Sequence, residues 1–269
     1  MRLARIVVAL CCVGGLLLAM SCSKTKIRPN LTAEERLALA KQMFAKGDYL
    51  DAKQQLLVLT LSFQGSAVAD EAQFYLAECH YQLKEYVLAI SEYERLLKSY
   101  PNSPYVDDAE YKIGMSHFKL SPSSGLDQEN AHKAIEHFQR FLEDYPDSPL
   151  KGEVEASLQQ CRNKLAKKEY DTGVLYRKMG YYDSALIYFD SVLASYYDTP
   201  YGAKALFWKG ECLMKLNRYQ EAREVFSSYA QRYPAGSHIA RVRQRLKELS
   251  SRLSQEGETA ANPGERPKK

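Results

Sequence analysis

Glycine and proline are scarce in this sequence, 14 and 10 of 269 residues, which counts against turn-dense sheet folds and favours helices. Charge of one sign is equally thin. The formal net charge is +4, and removal of Arg2 and Arg5 with an N-terminal signal would leave +2. That is too little to hold nucleic acid by electrostatics, and no Arg/Lys stripe with interleaved aromatics compensates. The chain lacks His-Glu-x-x-His, Cys-x-x-Cys and any glycine-rich phosphate loop. His132 and His137 are five apart, which does not align them on one helix face for a metal. No nucleophile stands beside a base at credible spacing, so neither an enzyme nor a bound cofactor or metal is expected.

Long apolar runs are missing as well. The longest, residues 6–20, is short of the roughly 20 residues a membrane span needs. It follows Arg2 and Arg5 and ends Leu18-Ala19-Met20-Ser21-Cys22, the layout of a secretion signal. Cleavage before Cys22 is expected, with residues 1–21 removed and Cys22 lipidated, although Ala19 stands where leucine is commonest. Lipid at Cys22 would anchor the chain without spanning the bilayer, and residues 22–31 would tether the folded part. Cys79, Cys161 and Cys212 lie in apolar helical patterns without paired spacing, so buried free thiols are expected.

What the sequence does contain is a repeat. Ala52, Ala89, Ala134, Ala185 and Ala222 each begin a common pattern, with a large residue four positions later: Leu56, Tyr93, Phe138, Phe189 and Phe226. Twelve residues before the alanine stands Ala40, Ala77, Gly173 or Gly210; in the third copy Gly114 takes that role, with residues 121–128 inserted. Pro101, Pro146 and Pro234 follow twelve residues after it. Each copy reads as a helix, a tight turn and a second helix, the small residue and the alanine marking where the two axes approach and the large residue filling the wedge to the next pair. Proline closes the second helix, and Ser103-Pro104, Ser148-Pro149 and Thr199-Pro200 are expected to open the next as N-cap and first-turn proline.

The pattern resembles the tetratricopeptide repeat over residues 32–253. The expectation is an all-α solenoid of about five units plus a capping helix. The alanines are 37, 45, 51 and 37 residues apart, against roughly 34 for the basic repeat. The longest gap is expected to hold one long helix beginning near Pro149 and to divide a half at 32–148 from one at 149–253. Residues 237–253 would cap the open end, and residues 254–269, without apolar periodicity, are expected to be a disordered tail.

Tyr100-Pro101-Asn102-Ser103-Pro104, Tyr145-Pro146-Asp147-Ser148-Pro149 and the degenerate Tyr196-Tyr197-Asp198-Thr199-Pro200, together with the lipobox cysteine, resemble the BamD-type family of outer-membrane assembly lipoproteins. That resemblance implies an outer-membrane location at the periplasmic face. It implies as partners a BamA-like barrel subunit and unfolded outer-membrane proteins. A secretin pilot and a cell-division coordinator are the alternatives within the same fold. A SusD-type glycan-capture lipoprotein would need long loops for which the chain has no room.

The resemblance to tetratricopeptide stacks implies a concave binding face lined by the first helix of each unit, into which residues three before and one, four and five after the small position point. In the first three units these include Leu37 and Phe44, and Phe74, Tyr81, Tyr111 and Phe118 are the candidate substrate-peptide contacts, bordered by Glu34, Glu71, Glu78 and Asp108. The last two units offer Tyr170, Phe207 and Met214, with Lys167, Arg177, Lys178, Lys204 and Lys215 as candidate partner-protein contacts. The border therefore changes sign along the stack.

Overall fold

The computed structural model describes residues 30–261, with side chains described to residue 255. The signal segment, Cys22, most of the tether and residues 262–269 lie outside the described residues. Five helix-turn-helix pairs follow one another: α1 (Ala33–Ala45) with α2 (Tyr49–Ser62), α3 (Ala69–Gln82) with α4 (Tyr86–Ser99), and α5 (Val106–Leu120) with α6 (Glu129–Asp144). The latter part of α7 (Lys151–Lys178) pairs with α8 (Tyr182–Ser195), and α9 (Gly202–Lys215) with α10 (Tyr219–Arg232); α11 (Ile239–Ala261) closes the stack. Each helix packs mainly on its neighbours in sequence, as expected of a solenoid. The described residues contain no strand.

The turns explain part of the repeat. Gly47, Lys84, Gly180 and Asn217 occupy the same place five residues before the pivotal alanine, and all have left-handed backbone, with φ of 84°, 62°, 84° and 58°. That conformation ends the first helix and reverses the chain, and glycine and asparagine adopt it most readily. The third unit has no such residue. Its inserted loop is held instead by buried Gln128, whose amide donates to the carbonyls of Ser123 and Leu126 while its oxygen accepts from the Ser121 hydroxyl.

Packing explains the rest. A methyl group placed on Gly210 would lie 2.5 Å from Phe226 Cε1, on Gly173 2.8 Å from Phe189 Cε1, and on Gly114 2.5 Å from Phe138 Cε1. The neighbour across from the small residue is therefore the aromatic of the same unit, which was expected in the wedge to the next pair. All three rings are fully buried, each contributing roughly 1.5–3 kcal/mol of hydrophobic stabilisation.

The Ser/Thr-Pro junctions act differently from expectation. The helices start at Val106, Lys151 and Gly202, two residues beyond each proline, so Ser103, Ser148 and Thr199 are not N-caps. Each begins a short turn closed by its own carbonyl, as in Val106 N–H to Ser103 O at 3.3 Å. The serine hydroxyls accept from the N–H two residues on, Tyr105 at 3.3 Å and Leu150 at 3.2 Å, and donate back across the repeat, Ser103 to Asp70 at 2.7 Å and Ser148 to Asp107 at 2.8 Å.

The long helix α7 runs 28 residues, about 42 Å at 1.5 Å per residue, and links two cores. Its Val154 and Cys161 pack with Phe138 and Phe141 of the third unit, while Val174 and Tyr176 join the core of the fourth and fifth. Helix α11 adds Val242 and Leu249 to that second core and continues to Ala261, past the Leu253 boundary expected from apolar periodicity.

Candidate polypeptide-binding surface

Phe74, Tyr81, Tyr111 and Phe118 are each half-buried, with part of the ring fixed in the core. Phe74 stacks on Tyr105 with centroids 4.7 Å apart. Tyr81 meets Tyr86 edge-on at 5.4 Å, and the Lys112 ammonium sits 4.8 Å from its centroid. Burial pushes the Tyr81 hydroxyl up to about 12, so it stays a neutral donor. Tyr111 packs on Phe138 and Phe141, and its hydroxyl lies 3.4 Å from that of Ser157. Phe118 carries Lys164 Nζ at 5.6 Å from its centroid.

The acidic border is less exposed than expected. Glu78 is buried, binding the Tyr93 hydroxyl and, at 3.0 Å, Lys112. Glu71 is paired with Lys41 at 2.5 Å, and Leu37 is buried, while Glu34 stays exposed. Burial and the neighbouring Asp107 hold the Asp108 carboxyl above its ordinary range.

In the last two units the cationic residues divide. Lys167 pairs with Asp171 on its own helix, Lys178 is exposed, and Lys204 lies 5.2 Å from the Tyr201 ring. Arg177 and Lys215 come together in a cleft of about 260 Å³ with Trp208, Tyr182 and Glu211. Arg241 and Arg245 of α11 complete its wall, although the sequence assigned that helix only a capping role. Their spacing of four, one residue out of step with the apolar seven-residue spacing of Val242 and Leu249, was the legible signal that one face of the cap is basic. The cap also overturns one expectation: Phe207 is fully buried, stacked on His238 of the α10–α11 turn at 4.1 Å, and cannot line an open groove.

Residues 29–225 match the family described as YfiO, outer membrane lipoprotein. The chain belongs to this family. It is accordingly a lipid-anchored lipoprotein of the outer membrane, and every candidate contact residue of units two to five lies inside the match, whereas Arg241 and Arg245 lie beyond it. No curated protein matches the chain in sequence. Among solved structures, the TPR2AB domain of yeast Sti1 in a pHSP90 complex is similar at 15% identity and a TM-score of 0.44, covering 83% of this chain and 84% of its own. A thermophilic TPR protein of Thermus thermophilus is 16% identical with a TM-score of 0.36, covering 81% and 98%. A tetratricopeptide repeat protein from Parabacteroides merdae is 14% identical with a TM-score of 0.36, covering 86% and 77%.

The lipoprotein's remaining polar groups serve packing. His117 and His137, from α5 and α6, stack at 5.4 Å; His137 Nδ1 lies 2.7 Å from Glu110, and His117 Nδ1 3.0 Å from Asn130. The sequence reading missed this pair because the two helices meet only in the fold. Cys79, Cys161 and Cys212 are buried free thiols, each pushed up to about 12 chiefly by burial. Among the described residues no His/Cys/Asp/Glu group could hold a metal ion, and no helix is long and apolar enough to cross a membrane. The surface therefore offers half-exposed rings in units two and three and a cationic cleft in units four and five.

Proposed function

We propose that this lipoprotein is a scaffold of the machinery that assembles β-barrel proteins in the outer membrane. It is anchored through lipid on Cys22 at the periplasmic face. Its C-terminal half binds a BamA-like barrel subunit, and its N-terminal half receives extended segments of unfolded outer-membrane proteins on Phe74, Tyr81, Tyr111 and Phe118. Lys167, Arg177, Lys178, Lys204 and Lys215 form the basic side of the partner contact.

The observation that carries the reading is the change of chemistry along one stack. Half-buried aromatics, whose rings are already fixed on one side, suit loose recognition of an apolar chain at low entropic cost. Cations at the other end suit orientation of a folded acidic partner. Membership of an outer membrane lipoprotein family supports the location.

The test is affinity purification of the lipidated protein from solubilised membranes, followed by mass spectrometry. Stoichiometric recovery of a barrel protein with periplasmic domains, weakened by Arg177→Glu with Lys178→Glu, is the expected outcome. Recovery of a secretin or a division protein instead would replace the scaffold reading with one of the alternatives.

A further inference from the structure

The cleft between α7, α9 and α11 carries more positive charge than its own carboxylates neutralise. Glu211 accepts from Arg245 Nε at 2.7 Å and Nη2 at 3.0 Å, and from Arg241 at 3.4 Å. Arg245 also binds Glu248 at 2.7 Å, and these two carboxylates hold it firmly protonated. Glu211 and Arg245 are thus committed to each other. Arg177 and Lys215 have no carboxylate partner among the described residues, and Arg241, its side chain 53% exposed, has Glu211 at 3.4 Å as its one carboxylate and otherwise lies 5.5 Å from the Phe207 ring centroid.

Arg177 is the most telling of the three. Its guanidinium lies 3.9 Å from the centroid of the Trp208 ring, while its Nε is buried and makes no hydrogen bond. A buried donor left unpaired is destabilising, so the Arg177 guanidinium is under-satisfied in the free protein. The platform beneath it is fixed, since the Trp208 N–H donates to the Tyr170 hydroxyl at 3.1 Å and the indole packs edge-on against Phe207 at 5.1 Å. A stacked guanidinium held this way loses little freedom on binding and presents the fork that carboxylates fit.

We propose that this cleft is a carboxylate-reading subsite that takes an aspartate or glutamate side chain from an extended acidic segment of a partner protein. The inference rests on the reading that units four and five face a partner. The volume of about 260 Å³ lies below the roughly 300–1,000 Å³ of small-molecule sites, which suits one side chain and excludes a whole cofactor. Glu211 in the wall disfavours a dianionic phosphate more than a monoanionic carboxylate. Tyr182 and Trp208 supply aromatic walls for the flanking chain.

The single tryptophan of the sequence stands in this cleft, so its fluorescence reports occupancy directly. The mature lipoprotein in detergent is titrated with a synthetic peptide rich in Asp and Glu and with its Asn/Gln counterpart. A saturable change in Trp208 emission is expected with the acidic peptide. Binding should be about tenfold weaker or worse for the amide peptide and for Arg177→Gln and Arg241→Gln, and it should weaken with salt. Equal binding of both peptides overturns the proposal, as does a response to inorganic phosphate or phosphatidylglycerol vesicles without one to the acidic peptide. If the variants fail to fold, the two peptides on the unmodified protein still decide. Acidic-peptide binding without a barrel partner in membranes would leave the subsite standing and remove the scaffold; a recovered barrel partner with no peptide discrimination would do the reverse.

Discussion

Replacing Gly210 by alanine tests the packing rule that generates the stack. The added methyl would sit 2.5 Å from Phe226 Cε1, 2.6 Å from Cζ and 2.9 Å from Cδ1, and that ring is fully buried with little room to yield. Overpacking of this kind costs about 1–3 kcal/mol. The gain in helix propensity from glycine to alanine returns about 1 kcal/mol. The net expectation is a loss of about 1 kcal/mol, the difference between these two terms. Phe226→Leu alone should cost about 1–2 kcal/mol by leaving a void beside the glycine. The double variant recreates the first unit's own combination, Ala40 with Leu56. It should therefore be more stable than the sum of the single effects by about 1 kcal/mol or more. Urea unfolding followed by circular dichroism gives the whole stack, and Trp208 emission reports the affected helix. Coincident transitions license the comparison, since long repeat arrays can lose two-state behaviour. A higher midpoint for Gly210→Ala, or single effects that add within about 0.5 kcal/mol, would refute the complementarity.

Lys84 holds the left-handed turn position that glycine fills at Gly47 and Gly180, so Lys84→Gly should stabilise the protein by about 0.5–1 kcal/mol; a urea midpoint that stays put would show the turn is unstrained. Burial, with His137 stacked alongside, holds His117 below the 6.5 of an unfolded chain. Its stabilising contribution is thus complete above about pH 6.5 and disappears as pH falls through the folded value, because the unfolded chain binds the proton more readily. His117→Gln should flatten the loss of stability as pH falls below about 6.5, and an unchanged pH profile would count against a buried neutral imidazole. The three buried thiols, each pushed up to about 12, should resist a thiol reagent until urea is added; rapid reaction of any one in the native protein would contradict its packing.

The repeat was readable because its period is a packing period. The left-handed residue at four of the five turns, the small residue on each first helix and the large buried residue on each second are local imprints of contacts that recur from unit to unit. The Ser-Pro junctions misled because a serine before proline has the same local signature whether it caps a helix or, like Ser103, spends its hydroxyl on an aspartate of the preceding unit. Phe207 obeys the groove periodicity, yet α11 covers the last unit and buries it, a tertiary fact with no local trace. Arg241 and Arg245 enter the cleft for the same reason. Among the candidate cations, Arg177 and Lys215 meet there, while Lys167 and Lys204 are engaged elsewhere by Asp171 and Tyr201.

On the proposed function, extended polypeptides lie on the aromatic side of the stack. A photo-crosslinking residue placed in living cells at Tyr81 or Tyr111, and separately at exposed Val87 or Ile187 on second helices, tests it directly. Adducts with unfolded outer-membrane proteins at positions 81 and 111, and none at 87 and 187, are the predicted result. Equal adducts at all four, or adducts only from the second helices, would contradict it.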